Sequence, residues 1–257
     1  MDAMKPSDAA EARVARYLTE RGYSFEVEPD LGIIKRPDFL ITTDRTVVVE
    51  VKAFETYGMF ENPVLNQPMA RSLTDALKPI RKQIEAAAKQ LKPLQDRGWP
   101  LVVMLANPGR RPIPFTSSMI FSAMYGDLEM QAPMLSDGSL GEFRGAAGLN
   151  GKLRNHHAYI SAVAVARRRD HSAQWAAEWC DAHEAEFGDD VTGLVAALAE
   201  AHQDAPEGDE VFLEVFETLS STAVPLPRDI FNGPGDLHWV PNADRTALTP
   251  WLTTEPR

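Results

Sequence analysis

The stretch Val47-Val48-Val49-Glu50-Val51-Lys52 constrains this chain most, because four valines in six positions, preceded by the polar turn Thr43-Asp44-Arg45-Thr46, suit a β-strand. Side chains on a strand alternate between faces, so Val47, Val49 and Val51 fill one face, while Glu50 and Lys52 share the other with Val48. An acid and a base side by side on a valine strand ask for a reason. The preceding segment, Arg36-Pro37-Asp38-Phe39-Leu40-Ile41, reads as a second strand opened by Asp38, and a tight turn at Asp44-Arg45 makes the two strands antiparallel neighbours. Asp38, Glu50 and Lys52 then converge on one spot.

Two carboxylates and an ammonium suit a hard divalent cation. Mg²⁺ prefers oxygen ligands, keeps several waters and usually takes one or two carboxylates from protein, which Asp38 and Glu50 can supply beside the backbone carbonyl of Val51. Mn²⁺ is a possible substitute. Lys52 is then placed to orient or help deprotonate the attacking water and to offset charge on a phosphoryl oxygen. The structural alternative is a half-buried edge strand with its valines inward and its charges in water, and with Asp38 capping a turn after Pro37.

Pro37-Asp38, eleven intervening residues and then Glu50-Val51-Lys52 together resemble the PD-(D/E)XK nuclease superfamily. The order of elements agrees with that family's core: a helix over 7–22, a short strand over 24–28, motif strands over 38–42 and 46–52, a helix over about 73–92 and a strand over 100–106. The resemblance covers roughly residues 7–106. It implies an α/β fold with a restriction-endonuclease-like core, a central mixed β-sheet flanked by helices. It also implies Mg²⁺-dependent phosphodiester hydrolysis, with Asp38 and Glu50 as metal ligands and Lys52 as the group that serves water.

Two helical residues join the set through the same resemblance. Glu11 stands on a stripe with Val14 and Leu18, the face expected to meet the sheet, and the family often carries a glutamate there that reaches the metal; a favourable acid near the helix N-terminus is the other reading. The later helix has an apolar stripe of Leu77, Ile80, Ile84, Ala87, Ala88 and Leu91. Gln83 flanks that stripe, with Gln90 two turns on, and family members carry a glutamine or lysine here that contacts the site; Gln83 is the preferred candidate. Pro79 leaves the start of this helix open.

Beyond residue 106 the pattern is carried by punctuation. Arg110 and Arg111, in the turn-rich loop 107–114, are candidate phosphate contacts or ordinary surface charges. A Gly-rich stretch over 137–151 reads as a loop, 158–166 as a buried strand followed by Arg167-Arg168-Arg169, 171–187 and about 190–202 as helices, and 210–217 as a strand. His156 and His157 point to opposite faces of an extended segment, which favours structural roles. The tail from Pro225 is rich in proline and turn residues, with Trp239 and Trp251 pinning it to the body. Residues 1–106 are thus expected to form the nuclease core, and 107–257 an elaboration of helices and a strand.

Charge sorts unevenly along the chain. Residues 1–169 hold 23 Lys and Arg against 19 Asp and Glu, and residues 170–257 hold 3 against 18, so the net charge of −11 belongs to the last third. Local basic surface governs association with a polyanion, so the motif-bearing part remains compatible with DNA, and less readily RNA, while the acidic part suits solvent, a protein partner or a homo-oligomer contact. A single cysteine, Cys180, excludes an internal disulfide and agrees with a cytoplasmic setting. No apolar run approaches the ~20 residues that span a bilayer, and the polar start lacks a secretory pattern. The expected function is a metal-dependent DNA nuclease; the alternative is a catalytically silent relative that binds nucleic acid or protein.

Overall fold

The computed structural model describes residues 5–54, 72–106, 116–131, 134–136, 138–139, 144–147, 150–153, 156–168, 172–188, 190–201 and 210–252. Helix α1 spans Pro6–Glu20, with proline in its first turn, where the missing N–H costs nothing. Strands β1 (Ser24–Val27), β2 (Phe39–Thr42) and β3 (Thr46–Ala53) follow. Helix α2, Leu73–Leu91, is capped by Ser72, whose hydroxyl accepts the Asp75 N–H at 3.1 Å. That cap fixes the start of the helix, and the chain passes through Pro79 inside it. Strand β4 (Leu101–Ala106), helix α3 (Ser117–Tyr125), strands β5 (Leu128–Gln131) and β6 (Arg144–Ala147), and β7 (Ala162–Arg168) come next. Helices α4 (Ser172–Phe187) and α5 (Val191–Ala201) precede β8 (Val211–Glu217), β9 (Leu237–Pro241) and β10 (Leu248–Leu252).

The protein is α/β, built on one mixed sheet of eight strands in the order β1-β2-β3-β4-β7-β8-β9-β10, with β5 and β6 pairing apart from it. Strands β1, β2 and β3 form an antiparallel meander, and β2 meets β3 with Phe39 opposite Val49 and Thr42 opposite Thr46. Strand β4 lies parallel to β3, with Glu50 opposite Val103, and β7 continues parallel to β4. The parallel step from β3 to β4 requires a crossover, which α2 provides.

Both faces of β3 are covered. On one face Val48 joins Leu77, Ile80, Ile84, Ala87, Ala88 and Leu91 of α2 with Val103, Leu105, Val163 and Val165 in a continuous core. The expected α2 stripe is therefore buried as read. Buried Ala10, Val14, Tyr17 and Leu18 line α1, which packs against β3. Near-continuous burial is the mark of a central strand between parallel and antiparallel neighbours, which removes the edge-strand reading of residues 46–53.

The chain divides into two compact units, residues 1–166 with 213–257, and residues 167–212. Strands β8 to β10 thus complete the sheet begun by the first hundred residues, and the proline-rich tail contributes a hairpin, β9 with β10, beside turns. Pro250 is tolerated in β10 because that strand is an edge, where a missing N–H breaks no ladder on the solvent side. Residues 144–147, expected within a loop, pair as β6 with β5. In the smaller unit α4 and α5 pack together, Trp179 stacks on His183 at 4.2 Å, and Asp190 caps α5 by accepting the Gly193 N–H at 2.9 Å. Among the described residues no helix is long and apolar enough to cross a membrane.

Candidate active site

Asp38 stands one residue before β2, so the register that sets Phe39 opposite Val49 carries it next to Glu50 on the α2 side of the sheet. Its position is fixed twice: the Val51 N–H donates to Oδ2 at 2.5 Å, and the Asp38 carbonyl accepts the Glu28 N–H at 2.9 Å. Val51 reaches Asp38 through its N–H, a bond that does not engage its carbonyl, the metal ligand suggested from sequence. Strand alternation holds at Glu50 and Lys52, since the Lys52 ammonium donates to Glu50 Oε1 at 2.5 Å.

Glu50 is almost wholly buried, with 1% of its surface exposed. A charge carried outward into water on a half-buried strand would not look like this. Its second oxygen, Oε2, accepts from Gln90 Nε2 at 2.8 Å, and the same amide donates to the Arg36 carbonyl at 3.0 Å. Gln90 therefore joins α2 to β3 and to the loop that leads into β2. Gln83, the preferred candidate from sequence, donates to the Ala53 carbonyl at 3.3 Å, at the end of β3. Both glutamines lie on one stripe, and height along β3 separates them: seven helical residues rise about 10.5 Å, close to the ~10 Å of the three strand residues from 50 to 53. Heptad spacing in the sequence puts Gln83 and Gln90 on one face; only the packing of α2 along β3 shows which one meets Glu50.

The electrostatics of the cluster follow from burial. Desolvation, reinforced by the Asp38 charge and countered by Lys52, pushes the Glu50 carboxyl up to about 7. Burial also raises Asp38, against the Val51 N–H and Lys52, which favour its ionised form. Half-buried Glu11 on α1 is raised first by desolvation and then by Asp38, which places it in the same field. Negative charge outweighs positive here, since Glu28 also raises Asp38 and Glu11 while Lys52 alone lowers both.

That imbalance fits a hard cation, whose charge would offset the desolvation and the Asp38 repulsion that together raise Glu50. Among the described residues no group of three or more His, Cys, Asp or Glu side chains forms a ready cage. Mg²⁺ asks for less, since it commonly binds through one or two carboxylates and fills its remaining positions with water. A carboxylate has about four lone-pair sites, so the bonds from Lys52 and Gln90 leave Glu50 with acceptor capacity. The donor set present, Asp38 and Glu50, is thus compatible with Mg²⁺.

Arg110 and Arg111 lie outside the described residues, as does Arg169. His157 Nδ1 is 3.0 Å from the Tyr159 hydroxyl, which donates to the Ala88 carbonyl at 2.8 Å, so this histidine belongs to a structural tie onto α2. No protein-family model matches the chain, and no curated protein matches it.

Proposed function

We propose that this protein is a metal-dependent nuclease with a restriction-endonuclease-like core of the PD-(D/E)XK type, hydrolysing phosphodiester bonds in DNA. The observation that carries the reading is the buried Glu50 carboxylate, hydrogen-bonded to Lys52, beside an Asp38 whose orientation is locked by the Val51 N–H. A desolvated pair of acids with one ammonium is expensive for folding alone, and such arrangements cluster at functional sites.

Each residue has a definite task. Asp38 and Glu50 would hold Mg²⁺, or Mn²⁺ in its place. When bound, the cation supplies Lewis-acid polarisation of the phosphoryl oxygen and eases deprotonation of water. Lys52, held within reach of Glu50, orients the attacking water and places a positive charge where negative charge develops on the phosphate. Glu11 adds negative potential at the rim of the site. Gln90 keeps Glu50 and the Arg36-Pro37-Asp38 backbone in register, and Gln83 secures the end of β3. Arg110 and Arg111 are proposed as phosphate contacts on the substrate. A cytoplasmic setting is part of the proposal, and the single cysteine agrees with it.

One observation favours a second reading. Both oxygens of Glu50 have partners within the protein, as they would in a silent scaffold that retains the fold to bind nucleic acid or another protein. A cleavage assay on duplex, single-stranded and branched DNA and on RNA, each with Mg²⁺, Mn²⁺ or EDTA, separates the two. Metal-dependent cleavage of DNA supports the nuclease; binding without cleavage under every metal supports the scaffold.

A further inference from the structure

The loop between β1 and β2 stands beside the candidate site and is built with unusual care for a surface connection. Its two ends meet at Asp38, whose carbonyl accepts the Glu28 N–H at 2.9 Å. Asp30 accepts the Gly32 N–H at 3.1 Å in a tight turn that uses the left-handed conformation of Gly32, and Arg97 donates to the Leu31 carbonyl at 2.7 Å. Leu31 and Ile33 pack against the core, while Gln90 holds the Arg36 carbonyl. Between these anchors the loop turns Ile34 outward, 104% exposed, with Lys35 and Arg36 exposed after it.

A lone exposed isoleucine needs no explanation. Here it is a fully exposed side chain on a segment tied down on both sides, it is followed by two basic residues, and the same segment leads directly into Asp38. Asp38 is four positions after Ile34, so their Cα atoms are at most ~14 Å apart, a span of about four base steps of a nucleic acid. Arg36 pairs with Asp30 at 3.3 Å, with side chains 52% and 71% exposed, and an ion pair so open to water is cheaply exchanged for a phosphate.

We infer that this loop is a substrate-gripping element of the same site, in which Ile34 presses against the base stack of DNA while Lys35 and Arg36 take backbone phosphates on either side. The inference rests on the nuclease reading for its substrate class. An apolar side chain entering between bases partly unstacks the step, and basic neighbours retain the strand at that point. The grip would set where along the strand the Asp38-Glu50-Lys52 cluster meets its phosphate.

The test uses the full-length protein and a fluorescein-labelled DNA duplex carrying 2-aminopurine at successive positions. Ile34→Ala should raise KM about five- to ten-fold while largely sparing kcat, and should abolish the 2-aminopurine brightening seen with wild type at one step. The double change Lys35→Ala with Arg36→Ala should weaken binding in EDTA and lower the slope of log affinity against log salt by about two, one for each phosphate that the loop no longer neutralises. All these side chains are exposed, so unchanged melting temperatures are expected and verify folding. Wild-type kinetics, brightening and salt slope in the variants would overturn the loop inference and leave the nuclease reading intact. A wild type that binds DNA through Ile34 without cutting it would overturn the nuclease reading and uphold the loop. A wild type that binds no DNA would overturn both.

Discussion

Glu50 is the residue on which most depends. Its folded carboxyl sits at about 7 against an ordinary 4.5, so the folded protein holds this proton more tightly than the unfolded chain does. The stabilising contribution of the protonated form is fully present below pH 4.5, declines as pH rises and is gone above about 7. The metal-free protein therefore carries an unfavourable charge at neutral pH that a cation would relieve. Glu50→Gln should melt higher than wild type at pH 8 without metal, and this advantage should shrink steadily as pH falls toward 4.5. Subtracting the two profiles removes titrations not coupled to Glu50, including His157 and His238, whose burial lowers their pKa and acts with the opposite sign in the same range. Mg²⁺ should raise the melting temperature of wild type at pH 8 and leave that of Glu50→Gln unmoved. A difference between the proteins that stays flat with pH would show that Glu50 is not held under strain by its surroundings. Asp38, Glu50 and Lys52 could be placed together from sequence because a strand has a period of two and the turn between 42 and 46 is short. The burial of Glu50 could not, since it depends on α2 closing over that face.

At the scale of elements, the pairing of α2 with β3 decides which polar residues serve the site. Gln90→Ala removes the link from α2 to Glu50 and to the Arg36 carbonyl, and removing outer partners of this kind typically affects activity about 10- to 100-fold. Measured kcat should fall within that range for Gln90→Ala, and clearly less for Gln83→Ala, which touches only the end of β3. Equal losses for the two would show that the helix lies at another height during the reaction. The six elements from α1 to β4 could be read from residues because each carries a strong period or a β-branched run. Helix α3 could not: Ser117-Ser118-Met119-Ile120-Phe121-Ser122-Ala123-Met124-Tyr125 is too short to establish a helical period, and the packing of Met119, Ile120, Ala123 and Met124 into the core makes it a helix. Strands β9 and β10 were hidden by Pro241 and Pro250, which suggest turns until the edge position of β10 is known.

At the scale of the whole molecule, charge and compactness divide the chain differently. The basic majority ends at residue 169, whereas the larger compact unit includes residues 213–257 and leaves 167–212 as a separate helical unit with many of the acidic groups. Changing exposed Asp181 and Glu186 in α4 to lysine should alter DNA affinity less than changing Arg110 and Arg111 to glutamate, which should weaken binding and flatten its salt dependence. Comparable effects from both pairs, read by fluorescence anisotropy at several salt concentrations, would place the acidic helices at the nucleic acid or redirect the search to a different substrate. Pairing across the sheet was open to sequence only as far as β4, because the partners of later strands are set by contacts between residues far apart in the chain. The decisive measurement is single-turnover DNA cleavage by wild type, Asp38→Ala and Lys52→Ala, each with Mg²⁺ and with EDTA. Wild type should cut only with the metal, and each variant should fold normally yet lose cleavage by at least about a hundred-fold. Cleavage that survives in EDTA, or in folded Asp38→Ala or Lys52→Ala, would contradict a metal-dependent centre at these residues.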